Sequence, residues 1–433
     1  MKTLLATLLL FSDATPSILP ERARVEAVNR MLQDRLDNVL PGLMREAGLD
    51  MWLVINREYA EDPVYLTLVP EPVFAARRTT MLVFYDRGGE KGVERLTVSR
   101  YPMKGLYEAA WEGGESNEQW TRLAAIIKER NPKRLGINVS RDWAFADGLS
   151  HSLHERLLSA LDPQLRPRLT SAEHLVVRWL ETRTPLELQS YPQTVAIARS
   201  VIAEAFSNKV ITPGITTTDD VAWYIRQRYA DLGLPIWFMP YVNIQRPGIE
   251  CQAATAFCGD DGIIQRGDVL HTDVGITYLR LNTDTQEMGY VLRFGERDVP
   301  EGLKKALAAG NRWQDILTSN FAAGKTGNQV LAATQAASQK EGILSSTYTH
   351  PLGFFGHAAG PTIGMWDNQG PTPVQGDWKL QPGTAYAIEG NVKAPVPEWN
   401  DQLVQIKLEQ SAYFDGKTVN YLAGRQTAWH VIH

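Results

Sequence analysis

Cysteine is nearly absent from this chain: Cys251 and Cys258 are the only two in 433 residues. That excludes a disulfide-framed fold, and neither thiol has a Cys or His neighbour at zinc-knuckle spacing. The spacing of the pair permits one bridge, while two free thiols fit a cytoplasmic protein as well. Positive charge is also short. Forty-four Lys and Arg stand against 49 Asp and Glu, for a formal net charge of -5. The local basic clusters are small, so the concentrated cationic surface that nucleic-acid binding requires is missing. No apolar run reaches the roughly 20 residues needed to span a bilayer, which argues against stable membrane insertion. The first part of the chain has no nucleotide-binding glycine loop, and no solenoid period is visible. Histidine is sparse, eight in all, with none between Leu175 and Leu270.

What remains is the composition of a folded chain, 44% hydrophobic and 21% charged, too long for one ordinary core. Two domains are expected. The start, Lys2 followed by the apolar run Leu4 to Phe11 and then Ser12, Asp13 and Ala14, resembles an export signal over residues 1–14. Export, for instance to a periplasm, is the expectation; a merely apolar cytoplasmic N-terminus is the alternative. Val25, Val28, Met31, Leu32, Leu36 and Leu40 fall at helical spacing. Strand-like runs follow at Met51 to Ile55, Thr79 to Tyr85 and Leu96 to Val98, then a helix near residues 117–129 and a short run Leu135 to Val139. This alternation predicts a small α/β domain over residues 15–174.

Beyond residue 175 the chain predicts a long helix, about Leu186 to Ser207, and then Thr212-Pro213-Gly214. A second helix begins there with Thr216 as cap and Asp219 reaching back, and Gly233 ends it. Strands are expected over Asp268 to Leu281, Thr384 to Val392 and Leu403 to Tyr413, with a helical zone near residues 300–340.

Three fragments carry chemistry. In His271-Thr272-Asp273 to Asp284, a hairpin centred near Tyr278 and Leu279 sets Asp273 across from Asp284. Paired carboxylates repel unless solvent or a cation screens them; a solvated turn explains the same pattern. His350 and His357 lie in a glycine-rich apolar segment, where one imidazole can ligate and the other can handle charge, though two histidines that close also arise by accident. Glu389 ends the apolar run Tyr386-Ala387-Ile388, an awkward place for a carboxylate without a partner or cation. Glu409 shares a strand face with Gln405 and Lys407, opposite Val404, Ile406 and Leu408, and an outward salt bridge accounts for it equally.

Taken together, these fragments resemble the creatinase/prolidase/aminopeptidase superfamily of metallopeptidases. The order matches that family's hairpin Asp pair, His, Glu after an apolar strand, and final Glu: Asp273, Asp284, His350, Glu389 and Glu409. His357 matches its second active-site histidine, and Pro213-Gly214-Ile215-Thr216 resembles its early turn. The resemblance covers residues 175–433 and implies a pita-bread catalytic domain with a mainly antiparallel curved sheet and flanking helices. Residues 15–174 resemble the family's accessory domain in architecture. It implies two divalent ions, manganese first, with zinc, cobalt or iron as alternatives, held by the five ligands around a bridging hydroxide. Glu389 would move the proton and His357 would stabilise the tetrahedral intermediate. It further implies a small peptide substrate, cleavage beside Xaa-Pro by an aminopeptidase or dipeptidase, and a homodimer. Other readings are a peptidase without proline specificity, another C–N hydrolase on the fold, or a noncatalytic binding protein that keeps it.

The match departs from the family in four places. The usual substrate-contacting histidine upstream of Asp273 has no counterpart, and Thr285-Gln286-Glu287 stands where Thr-Arg is common. Glu389-Gly390-Asn391 replaces Glu-Pro-Gly, and the segment between His and Glu is lengthened, including Trp366 to Trp378. That loop reads as a wall, a lid or an insertion.

Overall fold

The computed structural model describes residues 17–101, 103–249 and 262–433. The signal-like start and both cysteines lie outside them. Two sheets organise the described residues. The first contains Met51–Arg57 (β1), Thr79–Asp86 (β2), Val93–Val98 (β3), Glu108–Ala109 (β4), Leu135–Ile137 (β5) and Leu169–Ser171 (β6), in the order β4-β3-β2-β1-β5-β6. Strand alternation divides its residues between two cores. Trp52, Val54, Leu82 and Phe84 pack with Leu40, Leu43, Leu175 and Trp179. Met51, Leu53, Ile55, Met81 and Val83 pack on the other side with Trp120, Leu123, Ile127 and Leu157. Helices cover both faces, which is why β1 is apolar almost throughout instead of alternating.

The second sheet is built from Tyr241–Gln245 (β7), Val269–Val274 (β8), Thr285–Val291 (β11), Leu344–Thr347 (β12), His350–Leu352 (β13), Thr384–Val396 (β14), Gln402–Phe414 (β15), Val419–Tyr421 (β16) and His430–Ile432 (β17). A small hairpin, Thr277–Tyr278 (β9) with Leu281–Asn282 (β10), lies between β8 and β11. The main path runs β12-β14-β15-β11-β8-β7. Every pairing is antiparallel except β11 with β17. Helices Pro185–Ala205, Thr218–Asp231, Glu301–Ser319 and Gly327–Lys340 flank it, giving the expected mixed α/β pita-bread architecture. Among the described residues, no helix is long and apolar enough to cross a membrane.

Local chemistry sets the helix ends. Thr217, not Thr216, caps Thr218–Asp231, and its reciprocal partner is Asp220 instead of Asp219. The shift has a cause: Thr216 donates its backbone N–H to Thr212 and its hydroxyl accepts from the Thr212 N–H, so it belongs to the preceding turn. Helix Glu173–Glu181 buries Leu175, Val176, Trp179 and Leu180 in the first sheet's core, so residue 174 falls within a helix. Conversely, Ala27, Val28 and Met31 of helix Glu21–Asp34 pack against Ile197 and Val201 beside the second sheet.

A buried ion cluster joins these parts. Arg35 donates to both oxygens of Glu187, at 3.2 and 3.1 Å, and to the Thr182 carbonyl at 2.6 Å. Glu187 also closes the capping box with Thr184 at the start of Pro185–Ala205. Arg183, fully buried, lies 3.5 Å from the same carboxylate. Removing that carboxylate leaves two buried cations without an anion, a change that costs about 3–5 kcal/mol. Urea denaturation of Glu187→Ala should therefore show an unfolding free energy lowered by that amount, seen as a lower midpoint with an unchanged slope, and a loss under 1 kcal/mol would refute the assigned role.

Candidate metal centre

The centre is built by strand register. Tyr241 on β7 lies opposite Asp273 on β8, and Asp273 lies opposite Gln286 on β11. Gln286 in turn faces Glu409 on β15, which faces Glu389 on β14. Directly opposed residues in antiparallel strands point to the same face, so one row across five strands carries three carboxylates. His350 joins it from β13, paired with Ala387 two residues before Glu389.

Asp284 enters differently from the expected hairpin. The turn closes at Leu279 and Arg280, both left-handed at φ 51° and 65°, one residue beyond the expected centre. A shift of the axis by one residue moves every partner by two. Asp273 thus opposes Gln286, and the same register sets Asp284 against Gly275. Asp284 still shares the face of Asp273, on the diagonal. Gly275 has a packing reason: a Cβ there, or on Gly356, would collide with the Trp237 indole.

The alternative of an outward salt bridge for Glu409 is not what forms; its side chain is 1% exposed. Asp273, Asp284 and His350 are buried as well, and Glu389 is 17% exposed on the side chain. His350 Nδ1 lies 3.1 Å from the Pro351 carbonyl. A carbonyl only accepts, so Nδ1 carries the hydrogen and Nε2 presents a lone pair. That lone pair meets Asp284 Oδ2 at 3.6 Å, Glu389 Oε2 at 3.6 Å and Glu409 Oε1 at 3.7 Å. Four of the acceptor atoms here, Asp273 Oδ1, Asp284 Oδ1, Glu409 Oε1 and His350 Nε2, are buried without any hydrogen-bond partner. Buried acceptors that face one another without a donor require a proton or a cation between them. Asp273, Asp284 and Glu409 have ligand atoms within 4.8 Å of one another, as do His350, Glu389 and Glu409, and Asp284, His350 and His357. Four carboxylates and a neutral imidazole suit borderline or hard divalent ions, so the donor set fits such a metal.

Burial pushes all four carboxyls above their usual range, with repulsion from neighbouring carboxylates added for Asp273, Asp284 and Glu409. Asp273 reaches about 8, and so does Glu389, where Gln286 and Lys407 oppose the shift. Burial holds His350 down at about 4, and His357 likewise with help from His350. Several neighbours without a role assigned from sequence surround these groups. Tyr241 donates its hydroxyl to Asp273 Oδ2 at 3.0 Å. Burial pulls Lys407 down to about 8, while Asp273 and Glu389 oppose the shift. Gln286 donates to Glu389 and Glu409, and His271 contacts Gln286. His271 and Lys407 lie two residues from site carboxylates on the same strand faces, a signal the alternation offered. Trp237 packs its ring on His357 at 5.2 Å and donates to the Thr283 carbonyl at 2.8 Å.

His357, enclosed by protein on most sides yet open to solvent, stands over His350 with ring centroids 4.6 Å apart. Both border a cavity that Tyr348, Met365 and Gln375 also line. Trp143 and Phe145 form its far wall from the first sheet's side of the molecule, clamped by Trp378 at 5.4 Å and Phe355 at 4.5 Å. The lengthened loop is therefore a wall of this cavity.

Residues 190–413, just over half of the chain, match the model of metallopeptidase family M24. The chain belongs to metallopeptidase family M24. It is a peptidase of that metal-dependent family, as the resemblance implied. No curated protein matches it. Among solved structures, an X-Pro aminopeptidase from Thermotoga maritima is 17% identical at a TM-score of 0.63, covering 90% of this chain and 99% of its own. An Xaa-Pro dipeptidase from Bacillus anthracis gives 17% and 0.60, covering 95% of this chain and 100% of its own. The N-terminal domain of FACT complex subunit SPT16 from chickpea, 12% identical at 0.54, covers 95% and 98%. At such identities these likenesses establish the shared fold.

For this M24 peptidase the carboxyl shifts have a sign that can be tested. Groups whose folded pKa is raised stabilise the fold below their unfolded value and lose that contribution as pH rises through the folded value. At about pH 6.5, His350 and His357 are half protonated when unfolded and neutral when folded. From there to about 8 the four carboxyls, protonated in the fold and ionised in the unfolded chain, outweigh the two imidazoles and govern the slope. Metal-free protein should lose thermal stability steadily across that window, and excess Mn²⁺ should flatten the loss. A metal-free midpoint that stays level or rises from pH 6.5 to 8 would contradict the crowding.

Proposed function

We propose that this chain binds two divalent ions and cleaves peptide bonds beside proline, as an Xaa-Pro aminopeptidase or dipeptidase. The observation that carries the reading is the convergence of orphaned acceptors from Asp273, Asp284, His350 and Glu409 at one point on the sheet. With Glu389 they form the ligand set, and manganese suits its oxygen-rich character, with zinc, cobalt or iron as alternatives. Residues 175–433 would be the catalytic domain and residues 15–174 an accessory one, whose Trp143 and Phe145 wall the cavity.

Ions held there would lower the pKa of an attacking water and polarise the scissile carbonyl. The protein's own groups do the rest. Glu389 is the most exposed of the four carboxylates; one oxygen is held by Gln286, and the other takes the water's proton and passes it to the leaving amine. His357 reaches the cavity as a neutral imidazole, its pKa held near 4, and offers an N–H to the developing oxyanion. Asp273, Asp284, His350 and Glu409 hold the ions. A small peptide is the substrate, and a homodimer is the expected assembly, to be read from native mass. A complete ligand set argues against a creatinase-like C–N hydrolase that works without metal. The likeness to a protein named only as a complex subunit favours a second reading, a noncatalytic protein on this fold.

Two measurements decide between them. Metal-free protein reloaded with Mn²⁺ should hydrolyse Xaa-Pro dipeptides or longer N-terminal Xaa-Pro peptides, and length dependence separates dipeptidase from aminopeptidase. Glu389→Ala should abolish turnover while the protein stays folded, and His357→Ala should lower kcat about 10²- to 10³-fold. Equal rates on peptides without proline would remove the proline assignment, and no metal-stimulated hydrolysis of any peptide would leave the noncatalytic reading.

A further inference from the structure

Three carboxylates at the centre have one oxygen already engaged. Tyr241 takes one from Asp273. Gln286 takes one from each glutamate: its Nε2 lies 2.7 Å from Glu389 Oε1 and 2.8 Å from Glu409 Oε2. The amide nitrogen has two hydrogens, and this arrangement uses both. The opposite amide orientation would turn a carbonyl oxygen against two carboxylates, so the direction is fixed. Gln286 Oε1 lies 2.8 Å from His271 Nε2. Since a carbonyl oxygen only accepts, His271 carries its hydrogen on Nε2 and turns its bare Nδ1 toward the Asn243 amide, 3.5 Å away. Asn243, His271 and Gln286 thus form a one-directional chain of donors ending on two glutamates. All of it is buried: Asn243, His271 and Gln286 are 7%, 2% and 5% exposed. Strand register sets the endpoint, because Gln286 sits between Asp273 and Glu409 in the row.

The oxygens that Gln286 leaves free, Glu389 Oε2 and Glu409 Oε1, are the two that face His350 Nε2. We infer that Gln286, oriented by His271, is a positioning residue of the metal centre, reserving one oxygen of each glutamate and presenting the other toward the ions. Gln286 belongs to Thr285-Gln286-Glu287, the run that replaces the family's usual Thr-Arg, so the device belongs to this chain's own sequence. The inference rests on the proposal that these glutamates bind metal.

The test titrates Mn²⁺ into metal-free protein by calorimetry, with no substrate present. Gln286→Leu keeps the approximate volume and removes the donors. Its dissociation constant for Mn²⁺ should rise about 10- to 100-fold, as for other groups that orient ligands from behind. The thermal midpoint of the metal-free form should change less than the gain that Mn²⁺ confers. His271→Leu should weaken binding by a smaller factor, and the double variant should be no weaker than Gln286→Leu alone, because His271 acts through the glutamine. His271→Gln, which keeps an N–H donor, should restore most of the affinity. Should Gln286→Leu fail to fold, the His271 pair carries the test alone. Binding within twofold of the unsubstituted protein in Gln286→Leu, or in His271→Leu where only that variant folds, overturns the inference. Absence of Mn²⁺ binding by the unsubstituted protein instead overturns the metal-site proposal on which it rests.

Discussion

Like charges set face to face across a sheet are the constraint around which this structure is arranged. Glu389 and Glu409 are direct partners on β14 and β15, and Asp273 stands two strands away in the same row. Opposed like charges weaken a strand pair in water, and burial raises the cost further. Donors from Gln286 and Tyr241, the ammonium of Lys407 and the lone pair of His350 surround the cluster. Three of the four offset negative charge. The lone pair does not, and its presence among carboxylates distinguishes a cation-binding arrangement from a salt-bridge network.

Such a cluster persists because the opposite face of the sheet does not allow it to relax. Val404, Ile406 and Leu408 enter one apolar core, and Tyr386, Ile388 and Val392 another. Slipping β14 or β15 by one residue would exchange each apolar side chain for a polar one. The pairing runs for thirteen residues, Thr384–Val396 against Gln402–Phe414, so the apolar face holds the carboxylates in register. Gly390 contributes, since a Cβ there would strike Trp313 and the Ser346 carbonyl. A glycine directly after Glu389 lets that helix approach the strand closely.

The same logic explains what was legible beforehand. The five ligand-type residues and His357 stand out because residue type and order carry them, and the strand faces around Glu409 follow from period two. The hairpin centre was off by one residue because Leu279 and Arg280, not residues with a turn preference, adopt the left-handed conformation. The helix cap slipped by one for a related reason: Thr216 and Thr217 are interchangeable in composition, and only the Thr212 turn decides between them. Gln286 could be noticed as a departure, yet its two bonds depend on which strands neighbour β11, and pairing order is not written in local periodicity. Trp143 and Phe145 were beyond reach altogether, since their contact with the cavity spans some two hundred residues of sequence.

That distant contact raises the question of what holds the histidine segment in place, because His357 lies beyond the end of β13 and has no ladder to fix it. Phe354, three residues earlier, sits 4.8 Å from the guanidinium carbons of both Arg35 and Arg183. Those are the two cations that share Glu187, and Glu187 in turn caps the long helix. Phe355 packs on Phe145, and Gly356 admits the Trp237 indole that also contacts His357. Each residue from 354 to 356 is therefore held by a different part of the chain: the buried ion cluster, the first sheet's side, and the loop before β7. The first sheet's side of the molecule and the first helix thereby bear on the site without contributing a carboxylate or an imidazole to it. They fix the backbone from which His357 reaches the cavity, while register alone fixes the carboxylates beneath it.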